Sequence, residues 1–297
     1  MRGLAAGAEA AADPEPAPIG AAPRAANSSP ATWSRFRYPQ SLYKYVALLG
    51  SLAFLAFSVD FLDIELDRLT GMLGRMGEML GRRYFPPNVG HILNAEYWHT
   101  VVETLQMTYF ATVLGLAAAV PLAWCAAYNI TPSRRFLYKP ARLIIMACRS
   151  VHEMIWTILL VMVLGFGMLP GAVALTLFCI GFAGKLFSEA IEAIKPGQVE
   201  AIRSAGANQM QVFVYAVLPQ VRVAWTGISI YSWDVVFRAA TVVGFFGAGG
   251  MGWYLRESVQ RVASKDVAAI LLSIIVVVIL SELFSAWLRT RIAKAVA

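Results

Sequence analysis

The chain has 297 residues, of which 58% are hydrophobic and only 14% charged. Soluble domains run at about 45–50% apolar and about 25% charged, so this composition excludes an ordinary soluble enzyme and points to a bilayer. The formal net charge of +7 is read from where Lys and Arg fall relative to the apolar segments, and not as a sign of nucleic-acid binding.

Residues 1–40 are rich in Ala and Pro, carry no apolar period, and predict a disordered tail. They also lack the continuous apolar core of a signal peptide. Residues 41–297 then form one transmembrane domain. Six segments approach the roughly 20 residues needed to cross a bilayer: about 43–62, 101–127, 142–166, 169–187, 223–246 and 267–288. Pro121 is expected to kink the second, and the third and fifth carry charges. Between the first two spans, residues 63–100 form a loop in which Leu62, Leu66, Leu69, Leu73, Met76 and Leu80 recur every three or four positions. That spacing predicts an amphipathic helix, lying on the membrane surface or offering a docking face to an external partner.

Orientation follows from the basic residues. Arg134, Arg135, Lys139 and Arg142 crowd the short loop between spans two and three, which places that loop in the cytoplasm. Counting spans puts both termini and the stretch 188–222 on the same side, and the loop 63–100 outside.

Within 188–222, Glu200-Ala-Ile-Arg203-Ser-Ala-Gly206-Ala-Asn208 leads to Leu218-Pro219. Pro196 and Gly197 open one helix, and Gly206 supplies a residue that turns the chain without steric penalty. Asn208 with Gln211 three positions later resembles a capping pair for a second helix, which Pro219 closes. A rigid elbow between two spans suits transmission of force better than catalysis.

The stretch resembles the EAA loop of ABC importer permeases, with Glu200, Ala201, Gly206, Leu218 and Pro219 in register. Ile202 stands where that pattern has Ala, and Ala216 where it has Ile. Asn129 with Pro132, Arg149-Ser-Val-His-Glu153, Gly184-Lys-Leu-Phe-Ser-Glu-Ala-Ile-Glu192, Pro196-Gly-Gln-Val-Glu-Ala201 and Arg238-Ala-Ala-Thr-Val-Val-Gly-Phe-Phe-Gly247-Ala-Gly249-Gly250 are similar to phosphonate-type permeases. The resemblance implies an all-α integral membrane protein of about six transmembrane helices, with a type I, methionine-permease-like fold, in the cytoplasmic membrane. It further implies a homodimer, two ABC ATPase subunits on the cytoplasmic side, an external substrate-binding protein, and a phosphonate or a related oxyanion such as phosphite or phosphate as cargo, with another small solute such as methionine as the alternative. In this reading Glu200, Ala201, Arg203, Gly206, Leu218 and Pro219 couple the permease to its ATPases.

No phosphate-binding loop accompanies these motifs. The nearest match, Gly181-Phe-Ala-Gly184-Lys185, has Cys179 where the first Gly belongs and Leu186 where Ser or Thr must hold the metal. ATP and Mg are therefore expected on the partner ATPase, with no catalysis and no cofactor on this chain. Cys125, Cys148 and Cys179 sit in apolar stretches without CxxC spacing, and the histidines are scattered, so no metal site is expected.

Charges inside spans are expensive and need a reason. Arg149 and Glu153, and Asp234 and Arg238, are each four apart, which predicts intrahelical pairs on one face. They either orient their helices or line the translocation path, where a guanidinium fork matches phosphoryl oxygens. Gly247-Ala-Gly249-Gly250-Met-Gly252 matches GxGxxG, but it follows an apolar span and not a soluble strand. These glycines are read as a flexible end to a pore helix, close to a gate or a dimer partner.

Overall fold

A computed structural model describes residues 40–62 and 66–296, with side chains for 42–62 and 70–292. The expected tail over 1–40 lies, except for Gln40, outside the described residues. The chain divides into two compact units, residues 1–71 and 72–297. In the first, α1 (Gln40–Phe61) is apolar around its whole circumference, as a membrane-spanning helix must be. α2 (Leu66–Met79) begins in this unit and ends in the second, where the amphipathic pattern of the predicted loop becomes helix.

The second unit holds α3 (Val89–Ile92), α4 (Ala95–Ala126), α5 (Lys139–Ser150), α6 (Glu153–Leu164), α7 (Met168–Glu192), α8 (Pro196–Ser204), α9 (Gln209–Val212), α10 (Leu218–Val243), α11 (Gly250–Gln260) and α12 (Ser264–Val296). No strand occurs among the described residues. Among the described residues, five helical segments are long and apolar enough to cross a bilayer: Leu42–Phe61, Ala95–Ala126, Met168–Glu192, Gln209–Ala248 and Ser264–Ile292. α4 runs unbroken through Pro121 and starts before the expected span, so residues 95–100 belong to a helix and not to the loop.

α4 and α7 form the centre of the bundle. Ala111, Gly115, Ala119 and Ala123 recur every four residues, lie on one face of α4, and are buried. A Cβ on Gly115 would lie 2.5 Å from the Cβ of Cys179 on α7, so the two backbones meet at a distance only glycine permits. Lipid supplies no hydrophobic force between helices, and close packing of small residues takes its place. The core continues into Phe187, Trp225 and Phe213, whose rings pack in series where α7 meets α10.

The expected third span, 142–166, is not one helix. α5 and α6 are bent by 89° at a two-residue break. Val151 is extended (φ −103°, ψ 125°) and His152 (φ −65°, ψ 145°) caps α6, its Nδ1 accepting from the Met154 N–H at 3.3 Å. β-Branched Val151 and a histidine that bonds its own downstream backbone both favour leaving the helix here.

Candidate functional site

α10 carries one candidate site at each end. At its start lies the elbow. α8 ends in a Schellman turn: Gly206 N–H donates to Arg203 O at 2.9 Å and Ala207 N–H to Ile202 O at 3.4 Å. Gly206 sits at φ +84°, a conformation that side chains with a Cβ disfavour, although nothing lies within 4 Å of where that Cβ would be. Two residues after Gly206, Asn208 opens α9 with a reciprocal capping box. Gln211 N–H donates to Asn208 Oδ1 at 2.9 Å, and Asn208 N–H to Gln211 Oε1 at 2.8 Å.

Pro219 does not close this second helix. α9 passes through a π-helical turn, Phe213–Val217, directly into α10, with Pro219 in the first turn of α10. The proline ring would clash with the carbonyl four residues back in an α-helix, and the wider turn makes room for it. Val199, Val212, Phe213 and Val217 are buried, while Glu200, Ala201, Arg203, Gly206 and the large side chains Met210 and Tyr215 are exposed. The elbow is thus a fixed block with one face inward and its sequence-predicted residues outward. Gln220 braces it, accepting from Lys195 N–H at 3.1 Å and donating to Ala216 O at 2.8 Å.

Near the same end, Glu192 closes α7 onto the α4–α5 connection. It accepts from Tyr128 N–H at 3.0 Å and pairs with Arg142, whose Nε also donates to Ala126 O at 2.9 Å. Asn129 donates to Ile191 O at 2.9 Å. Composition gave no sign of this latch, because its partners are 50 to 64 residues apart.

From that latch α5 runs inward to Arg149. The helix break carries Glu153 onto α6, so the expected Arg149–Glu153 pair does not form. Glu153 occupies the first turn of α6, where a carboxylate suits the helix dipole, and its Oε2 lies 3.4 Å from His152 Nδ1. Cap and ion pair compete for that one nitrogen. Arg149 is exposed and has no hydrogen-bond or ion-pair partner among the described residues. It rests on Gly181, where a Cβ would lie 2.8 Å from its Cγ and 3.0 Å from its backbone nitrogen. Gly181 is eleven residues from the end of α7, so Arg149 lies about 16 Å from the elbow end, near mid-span. Arg142, Ile145, Met146, Arg149, Ser150 and Lys185 bound a space of about 300 Å³ there. Lys185 is held by Glu189 at 2.7 Å.

The second expected pair does form. Arg238 Nη2 donates to Asp234 Oδ2 at 2.8 Å along α10, with Asp234 buried and Arg238 half-exposed. Asp234 Oδ1 is buried without a partner.

The glycine turn lies at the other end of α10. It is a packed structure and not the flexible end expected. Gly247, Gly249 and Gly250 have φ of +108°, +81° and +70°. A Cβ on Gly252 would lie 2.2 Å from Thr241 O and 2.5 Å from Phe245 N. Gly247 O accepts from Gly167 N–H at 3.1 Å, which joins this turn to the α6–α7 connection. α4 supplies the caps for α11: Glu103 Oε2 accepts from Gly250 N–H at 3.2 Å and Thr104 Oγ1 from Met251 N–H at 2.9 Å. His99 Nδ1 lies 3.2 Å from Glu103 Oε1. Behind them Tyr254 packs against Tyr97 and His91. It is thus more buried than an interfacial aromatic. Burial, and then the Glu96 and Glu257 carboxylates, push its phenol above the usual tyrosine range.

Residues 111–297 match the family described as binding-protein-dependent transport system inner membrane component. The phosphite transport system permease protein PtxC of Stutzerimonas stutzeri is 43% identical over 64% of this chain and 68% of its own length. The phosphate-import permease protein PhnE of Mycolicibacterium smegmatis is 38% identical over 71% of this chain, but only 39% of its own length is covered. Among solved structures, the inward-facing MetNI methionine ABC transporter aligns with a TM-score of 0.53 at 22% identity, over 68% of this chain and 94% of the other. A bacterial alginate ABC transporter, in complex with an alginate pentasaccharide-bound periplasmic protein, aligns with a TM-score of 0.54 at 16% identity, over 87% and 99%. The all-helical bundle is therefore a type I ABC importer permease fold, and the chain belongs to the family of binding-protein-dependent transport system inner membrane components.

Proposed function

We propose that this chain is the membrane permease of an ATP-driven importer that moves a phosphorus oxyanion, phosphite, phosphate or a phosphonate, into the cytoplasm. Kinship with permeases named for phosphite and phosphate supports the cargo class. The observation that carries it is Arg149: a guanidinium near mid-span, exposed, and without a carboxylate partner among the described residues. An unpaired charge facing lipid is strongly unfavourable, whereas one facing a watered path used by an anion is not. Arg238, half-neutralised by Asp234, would be a second, weaker station nearer the glycine turn. Partial pairing keeps such a station from holding its anion too tightly to release.

In this reading two copies enclose the path, with both termini and the elbow in the cytoplasm and the glycine turn outside. Two ATPase subunits dock on the exposed face that carries Glu200, Ala201, Arg203 and Gly206, with Leu218 and Pro219 joining it to α10. Because α9 runs without interruption into α10, a push on the elbow becomes movement of the whole span. Gly247, Gly249 and Gly250 let the far end of that span repack as an outer gate. A binding protein delivers cargo at that face, and ATP and Mg act only on the ATPases.

The test is uptake by proteoliposomes containing the permease, its ATPase and its binding protein. ATP-dependent entry of phosphite, phosphate or methylphosphonate is expected, and Arg149→Gln lowers it while the complex still assembles. Uptake of methionine but of no phosphorus oxyanion would overturn the cargo. Unchanged transport by Arg149→Gln would overturn its place in the path.

A further inference from the structure

Away from the path, the end of α2, the π-helical turn Leu80–Tyr84 and the start of α12 border two open grooves built from neighbouring residues. One, of about 760 Å³, is walled by apolar groups that include Met76, Met79, Leu80, Tyr84, Leu271 and Ile275. The other, of about 490 Å³, is bounded by Arg82, Arg83, Asn88, Ser264, Lys265 and Asp266. Both are built from the same two stretches, residues 76–88 and 262–275. These are fastened by Asn88, whose N–H donates to Lys265 O at 3.2 Å and whose Nδ2 donates to Asp266 Oδ1 at 2.8 Å.

The charges in the polar space do not balance. Asp266 is engaged by Asn88, and Glu78 reaches only Arg82, at 4.0 Å across an exposed surface. Arg83 and Lys265 have no carboxylate partner among the described residues. Depth orders the two spaces. Ser264 is the first residue of the α12 span, and Ile275 lies eleven residues further, about 16 Å deeper. The basic space is therefore at the membrane interface. The apolar one descends through about half of a ~30 Å hydrocarbon core, the reach of a single leaflet.

We propose that these two spaces together bind one anionic phospholipid, its head-group phosphate among Arg82, Arg83 and Lys265 and one acyl chain in the groove below. The amphipathic α2, with Met76 and Met79 on the groove, roofs the chain. A free oxyanion or an acidic protein surface would use the basic space and leave the apolar one without a role. The phospholipid uses both, and its charge complements the unpaired cations.

The test is native mass spectrometry of the intact transporter complex, taken from nanodiscs of mixed phosphatidylglycerol and phosphatidylcholine. Retention of phosphatidylglycerol over phosphatidylcholine is expected, weakened about fivefold for each charge removed in Arg83→Gln and Lys265→Gln. Ala268→Trp, which fills the groove and leaves the cations intact, should displace the lipid equally well. Equal retention by all variants overturns the site, and so does phosphatidylcholine held as tightly as phosphatidylglycerol. If the charge variants lose lipid and Ala268→Trp does not, or if inorganic phosphate alone competes it away, the pocket holds an anion and not a phospholipid, which also overturns the proposal.

Discussion

The elbow and the glycine turn sit at opposite ends of α10, and both depend on glycines at positive φ, but they use them differently. Around Gly206 there is open space, so the backbone angle alone demands glycine. Around Gly252 the angle is ordinary, and space alone demands it, because Thr241 O and Phe245 N occupy the room a Cβ needs. The elbow is shaped by local conformation alone, whereas the glycine turn adds contact between segments to the positive φ of Gly247, Gly249 and Gly250. The first can be exposed to a partner without losing its form, and the second holds its form only while its neighbours stay in place.

Substitutions can break this contrast, and the largest effect is expected at Gly252. Gly252→Ala forces backbone against backbone, and overpacking of this kind costs about 1–3 kcal/mol or more. Little folded permease should survive solubilisation and size-exclusion chromatography. Gly227→Ala is the control: it sits in α10 with nothing within 4 Å of its Cβ position. There alanine should be neutral or stabilise by up to about 1 kcal/mol through helix propensity. Equal yields of the two variants would remove the steric account.

Gly206 tests the other half. Holding a side chain at φ +84° costs roughly 1–2 kcal/mol. Gly206→Val should leave the spans assembled but lose coupling of ATP hydrolysis to uptake, while Gly206→Asn, which tolerates that region, should keep most of it. A fully coupled Gly206→Val complex would mean that the turn is not what transmits the push.

The same division decides what could be read from the sequence. Gly206, Asn208 and Gln211 act on backbone within four residues, so their spacing announced the turn at Gly206 and the capping pair. Pro219 was misread, because a proline near Leu218 looks like a stop unless a π-helical turn makes room for it. The bend after Arg149 was missed for a related reason: 142–166 is apolar enough to pass as one span, and the break rests on extended Val151 and on His152 bonding Met154 N–H. Glu103 and Thr104 gave no local sign at all, since they cap a helix 147 residues downstream. The stripe Ala111, Gly115, Ala119 and Ala123 was present in the sequence as small residues four apart, but its partner Cys179 was not. Contacts that close across the bundle are invisible to patterns that look along the chain.

Thr104 sharpens the comparison at the level of a single hydrogen bond. Thr104→Val keeps shape and removes the acceptor of Met251 N–H, leaving a buried donor unsatisfied at about 1–3 kcal/mol. Hydrogen exchange at the start of α11 should speed up, while the elbow exchanges as before. Coupled acceleration at both ends would show that α10 transmits strain even without ATPases, and that the two ends are not independent.

The smallest expected effect is at Glu103. Glu103→Gln retains an oxygen to accept from Gly250 N–H but removes the charge that faces the α11 N-terminus, a loss of about 0.3–1 kcal/mol. At the elbow the matched change is Asn208→Ala, which removes a side-chain cap worth about 1 kcal/mol. Thermal unfolding of the detergent-solubilised complex should therefore shift more for Asn208→Ala than for Glu103→Gln. The reverse order would mean that the remote carboxylate, and not the local cap, sets the stability of α10.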